Sequence, residues 1–228
     1  MKSIVVLLVA GLMAYIMTRT DFYGIIFHSW MNPISPDLAK FGIDDQSLPT
    51  ILSSITTSSN TVYYKLLIGL LTGLTFLYYI FRSGSFIKNI DNMIGGFVVG
   101  SVVVLAWYLT GSSLGAEWIE TNNFLDTPLP GVGVQSFTFI NPMGENIIYL
   151  SNAADTYYLT FGVAALLSVI LGSFVYSVMS KNFRIEWFQS KEDLKRHLIG
   201  AILIGIGGVL SLGCTIGQGV SGISTLAL

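Results

Sequence analysis

Gly207-Gly-Val-Leu-Ser-Leu-Gly-Cys-Thr-Ile-Gly-Gln-Gly-Val-Ser-Gly222 is the stretch that decides how this chain folds. It belongs to a segment that begins after His197 and meets no charged side chain before Leu228. A lipid-facing helix gains nothing from Gly213, Gly217, Gly219 and Gly222 set among polar side chains, since each glycine costs about 1 kcal/mol relative to alanine in a helix interior. A broken helix accounts for the mixture. One half-helix is expected from His197 to about Leu212, and a second starting near Gln218 to Gly222. The glycines between them permit a turn whose freed N–H groups point into a protein-lined cavity. A half-helix N-terminus placed there favours an anion, because the helix dipole and the unsatisfied N–H groups both present positive charge.

Composition places this segment in a bilayer. Of the 228 residues, 52% are apolar and only 11% charged, against about a quarter charged in a typical soluble domain. So few charges would leave a soluble fold with large bare apolar patches. A net charge of −2 argues against a nucleic-acid binder that works by neutralising phosphates. One cysteine excludes an internal disulfide framework and a multi-cysteine metal site.

A spanning helix needs about 20 mostly apolar residues. Ser3–Thr18, Val62–Phe81 (interrupted by Lys65), Asn92–Gly115, Thr156–Ser180 and the segment after His197 supply about five such stretches. Lys2 followed by apolar residues also fits a signal peptide, but Met17, Thr18 and Arg19 offer no clean cleavage pattern, so a retained helix is expected. Arg82 and Lys88 form one basic loop, and Lys181, Arg184, Lys191, Lys195 and Arg196 another. The stretch 115–156 carries Glu117, Glu120, Asp126, Glu145 and Asp155 with no Lys or Arg. The positive-inside rule therefore puts the N-terminus and both basic loops in the cytoplasm and the acidic loop outside. Trp187, Phe188, Tyr157 and Tyr158 fit interfacial anchors.

Two regions follow: 1–60, a first transmembrane helix with an external, interfacial or re-entrant connector, and 61–228, the main transmembrane domain. The connector holds Pro33, Pro36 and Pro49 and a Ser/Thr-rich tail. In the acidic loop, Pro128-Leu-Pro130-Gly131-Val-Gly133 is a breaker cluster, and the chain is expected to turn again at Asn141-Pro142. Gly69/Gly73 and Gly96/Gly100 have the small-xxx-small spacing that lets helix backbones pack closely.

Cys214 sits at the centre of the break, beside Thr215 and near Gln218. Its thiol is a weak S–H donor suited to a soft, polarisable sulfur atom. A catalytic cysteine would want a base or cation nearby, whereas His197 and His28 are both distant in sequence. No paired carboxylates, phosphate loop or metal-ligand spacing is present, so neither cofactor nor metal is expected.

Gly213-Cys-Thr-Ile-Gly-Gln-Gly-Val-Ser-Gly222 resembles the glycine-cysteine motif of the YeeE/YedE family of sulfur-compound transporters. The likeness extends through Arg196-His-Leu-Ile-Gly200, Gly205-Ile-Gly-Gly208, Phe137 to Gly144 and the stretch from Lys2 to Gly11. It implies an all-α inverted-repeat membrane protein of the inner membrane, in which cysteines pass the substrate inward along a central path. Thiosulfate is the substrate it implies. Only Cys214, Gly213, Thr215, Gly217, Gln218 and Gly219 carry over as site residues. A second glycine-cysteine motif has no counterpart here, so the chain resembles a truncated or split member holding the end of the first repeat and most of the second.

The expected function is therefore uptake of a small sulfur-containing anion. The partners expected with it are the lipid bilayer, a second chain supplying the missing repeat and a cytoplasmic sulfur-carrier protein. Two other classes compete: a membrane sulfur-transfer or redox enzyme with a reactive Cys214, and a non-transporting subunit that completes a partner. No mid-span titratable group points to proton coupling.

Overall fold

The computed structural model describes residues 2–31, 33–34, 47–55 and 61–225, and these are mainly helical with no strand among them. The elements used below are α1 (Lys2–Arg19), α2 (Leu48–Ile55), α3 (Thr61–Arg82), α4 (Gly84–Lys88), α5 (Ile90–Gly111), α6 (Ser113–Asn123), α7 (Ile140–Ser151), α8 (Phe161–Met179) and α9 (Lys191–Leu210). A short second half-helix, 215–225, follows α9 after a break. Part of the 19–60 connector, including Pro36 and the tail beyond Ile55, lies outside the described residues.

Among the described residues, four helices, α1, α3, α5 and α8, are long and apolar enough to cross a membrane. They present exposed leucine, isoleucine, valine and phenylalanine side chains along their lengths, as lipid contact requires. This is an all-α membrane protein. The fourth span starts at Phe161 rather than Thr156, because Thr156–Tyr158 forms a separate tight turn and Thr160 caps the helix through Val163 N–H. The fifth expected span is two pieces. α9 opens with a charged turn capped by Ser190, and it ends at Leu210.

α1 is the hub, packed between α7 and α9. Lys2 Nζ pairs with Asp193 Oδ2 at 2.9 Å, and a Cβ on Gly205 would lie 2.7 Å from the Ala10 carbonyl oxygen. These two contacts, one near each start and one farther along, make α1 and α9 parallel neighbours.

The stretch 115–156 is not an open loop. It holds α6 and α7, and α7 begins alongside the middle of α1: Met143 lies against Gly11, Gly144 against Tyr15. At 12 residues α7 is about 18 Å long, too short to span. It runs beside the second half of α1 in the same direction, so the irregular chain 132–139 descends to mid-helix depth and α7 returns from it. Asn141-Pro142 is therefore a helix start and not a turn. A proline in the first helical turn lacks only an N–H that would have had no partner there.

Among the described residues, Gly73, Gly96 and Gly100 do not bring spanning helices together. A Cβ on Gly73 or Gly100 would meet nothing within 4 Å, and one on Gly96 would meet only Phe86 of α4. Among the described residues, α3 finds its main neighbours in α2 and α4.

Candidate functional site

α9 stops because the backbone reverses hand. Leu212 has φ +57°, and Gly213 N–H donates to the Gly208 carbonyl at 2.9 Å, closing the helix end in the manner of a left-handed cap. Ser211 holds the break from both sides: its Oγ donates to the Gly213 carbonyl at 2.7 Å, and its own carbonyl accepts from Gln218 Nε2 at 3.0 Å.

Cys214 is the last residue before the second half-helix and is half-buried. Gly217 N–H donates to its Sγ at 3.4 Å, and Gln218 N–H donates to its carbonyl at 2.8 Å. Six expected residues thus form one turn: Gly213 lies against the Gln218 side chain, and Gly219 lies near Thr215. The N–H groups of Gly217 and Gln218 are engaged by Cys214 itself, whereas those of Thr215 and Ile216 open the half-helix and have no intrahelical acceptor. Thr215 is exposed.

The re-entrant stretch seats the second half-helix. Ser221 Oγ donates to the Phe137 carbonyl at 2.7 Å, and a Cβ on Gly217 would come within 2.8 Å of Thr138 Oγ1. Trp107 of α5 donates to Ser224 Oγ at 3.0 Å. Thr110 and Val103 of α5 in turn hold the stretch: Thr110 Oγ1 donates to the Gln135 carbonyl at 2.7 Å, and Ser136 Oγ donates to the Val103 carbonyl at 3.2 Å. An apolar cavity of about 370 Å³ opens beside the turn, walled by Val99, Val102, Phe137, Phe139, Val169 and Ile216. Sequence reading missed Ser211, Thr138 and Ser221 as site-builders. Ser211 and Ser221 lay inside the quoted motif, but nothing in spacing marks Thr138.

Residues 1–228, the whole chain, match the protein family described as sulphur transport. The chain belongs to the sulphur-transport family. A stretch of 123 residues of this family member, 54% of the chain, is 28% identical to the thiosulfate transporter TsuA of Escherichia coli (strain K12). That match covers 29% of the length of TsuA, well under half of it. No solved structure matches this family member. With the four apolar helices, membership makes it a multi-pass membrane protein.

Proposed function

We propose that this chain takes part in the inward transport of a small sulfur-containing anion, thiosulfate first among them, at the turn around Cys214. The observation that carries the reading is the hydrogen bond from Gly217 N–H to Cys214 Sγ at 3.4 Å. With the sulfur serving as acceptor inside the protein, the thiol proton is free to be donated outward. A thiosulfate-like anion has a soft terminal sulfur to meet that S–H and oxygens to meet the N–H groups of Thr215 and Ile216. Thr215 Oγ1 supplies a further hydrogen bond, while Gln218 shapes the turn through Ser211. No Lys, Arg or His hydrogen-bonds Cys214 among the described residues, so the anion is held by dipoles rather than fixed charge. Binding of that kind is weak enough for release, as conduction demands.

In the proposed orientation the N-terminus and the Lys181–Arg196 region face the cytoplasm of an inner membrane, and the stretch 115–156 faces outside. The re-entrant stretch then brings the turn into reach of the outer side. A second chain completing the path, and a cytoplasmic sulfur carrier receiving the anion, belong to the same proposal. The competing sulfur-transfer reading needs a thiolate with a cationic neighbour, which the contacts of Cys214 do not supply.

Labelled thiosulfate uptake in cells lacking their own uptake systems tests the proposal, with parent and Cys214→Ala compared at equal membrane insertion. The expected result is uptake by the parent and loss in the variant. Uptake unaffected by the substitution sinks the role of the thiol. A persulfide on Cys214 found by mass spectrometry would favour the sulfur-transfer enzyme instead.

A further inference from the structure

Glu145 is a buried carboxyl that the anion site does not use. It lies on the second turn of α7 at 8% exposure. Thr160 Oγ1, the cap of α8, donates to its Oε2 at 2.8 Å. Its other oxygen lies against Gly131, where φ is +80° and any side chain would collide with the carboxyl. Leu129, Pro130, Ile148 and Tyr158 complete a cavity of about 40 Å³ around it.

No cation pairs with this carboxyl among the described residues. Arg19 of α1 exerts its charge from beyond ion-pair distance, and Tyr158 is the other titratable side chain lining the cavity. Burial raises the Glu145 pKa above the ordinary carboxylate value, with the Thr160 hydrogen bond and the Arg19 charge opposing it incompletely. Because Thr160 occupies Oε2 as donor, the other oxygen is the one left to carry a proton.

The cavity connects to the anion site through a short run of chain. Gln135 Nε2 donates to the Gly131 carbonyl, Gln135 N–H donates to Thr110 Oγ1 at 3.1 Å, Phe137 accepts from Ser221, and Thr138 lies on Gly217. An ionised Glu145 has neither a paired cation nor room for much water in its cavity, so it must move toward Arg19 and solvent. That movement frees the Gly131 turn and, with it, the stretch that seats the second half-helix.

We propose that Glu145 is a proton-binding site linked to the broken-helix site: the protonated carboxyl locks the re-entrant stretch onto the second half-helix, and anion uptake is therefore proton-dependent. The linkage stands on geometry alone, and its uptake arm rests on the transport reading above. The step is a simple protonation from solvent, with no redox partner.

The test is the rate of maleimide alkylation of Cys214 from pH 5.5 to 8, expressed as the ratio of parent to Glu145→Gln. Ionisation of the thiol is common to both proteins and cancels. The expected ratio is near one at the acid end and changes several-fold as pH rises, because the glutamine stays in the neutral form. Thr160→Val, which removes a hydrogen bond favouring the charged form, is expected to move the transition to higher pH. A ratio that is flat with pH overturns the proposal whatever the uptake result. In the uptake arm, parent transport of labelled thiosulfate rises several-fold as external pH falls, and Glu145→Gln is insensitive to pH. A parental pH profile retained by Glu145→Gln also overturns it. A pH-dependent alkylation ratio without uptake in either protein upholds the linkage and defeats the transport reading alone.

Discussion

Ser221 Oγ and the Phe137 carbonyl oxygen, 84 residues apart in sequence, are joined by a 2.7 Å hydrogen bond that ties the second half-helix to the re-entrant stretch. The bond spans the two parts of the fold that lack regular helical support of their own. On one side is the irregular chain 132–139, and on the other a half-helix preceded by a break. Ser221 is buried, so its removal leaves the carbonyl with no water to replace it.

Ser221→Ala should lower stability by about 1 kcal/mol, about 3 °C in the thermal unfolding midpoint in detergent. It should also speed alkylation of Cys214, since the half-helix loses one of its anchors. An unchanged alkylation rate would mean that Thr138 and Trp107 hold the half-helix without it.

Gly217→Ala introduces a methyl group 2.8 Å from Thr138 Oγ1 and 3.3 Å from its Cβ. Overpacking of this kind costs about 1–3 kcal/mol. The methyl group also disturbs the residue whose N–H holds Cys214 Sγ. Uptake should fall at least tenfold, and Thr138→Ala in the same chain should restore part of it. Equal loss in the single and double variants would show that the contact with Thr138 is not the cause.

Leu212 carries a left-handed φ of +57° at 84% exposure, so it has strain without packing to justify it. Left-handed backbone costs a non-glycine residue about 1–2 kcal/mol, and glycine's added freedom in the unfolded chain offsets about half of that. Leu212→Gly should therefore stabilise the protein modestly, by under about 1 kcal/mol, as a rise in the unfolding midpoint. A clear fall would mean that Leu212 contacts something outside this chain.

Asp193 is held below its ordinary pKa, first by the hydrogen bond from Lys2 and then by the Gln189 N–H, with Lys2 and His197 charges adding smaller effects. A carboxyl with a lowered folded pKa binds fewer protons folded than unfolded near that pKa. Its stabilisation is complete above the unfolded value and is lost as pH falls through the folded one. The midpoint difference between parent and Asp193→Asn should thus be present at pH 7 and shrink as pH falls below the ordinary aspartate value. A difference that persists in acid would point to the amide's loss of hydrogen-bond geometry rather than to charge.

The broken last helix and the apolar spans were both legible in the amino-acid sequence. Each rests on local chemistry: glycine's poor fit within a helix, and hydrocarbon that accepts no unpaired backbone. Ser211 and the engaged N–H groups of Gly217 and Gln218 were not legible, because hydrogen bonds within a break depend on the actual turn taken.

What sequence determined by itself, then, is an all-α membrane chain that breaks at Gly213-Cys214, since composition and helix propensity act residue by residue. Tertiary structure decided that 132–151 folds back along α1. No apolar run marks that stretch; it is held by close backbone approach at Gly11 and Gly144 and by polar bonds from Thr110, Ser136, Thr160 and Ser221. Such contacts join residues far apart in the chain and leave no periodic trace in it. Gly73 and Gly100 had the expected packing spacing yet meet no helix among the described residues, because spacing specifies a surface and only the arranged helices decide whether another lies against it.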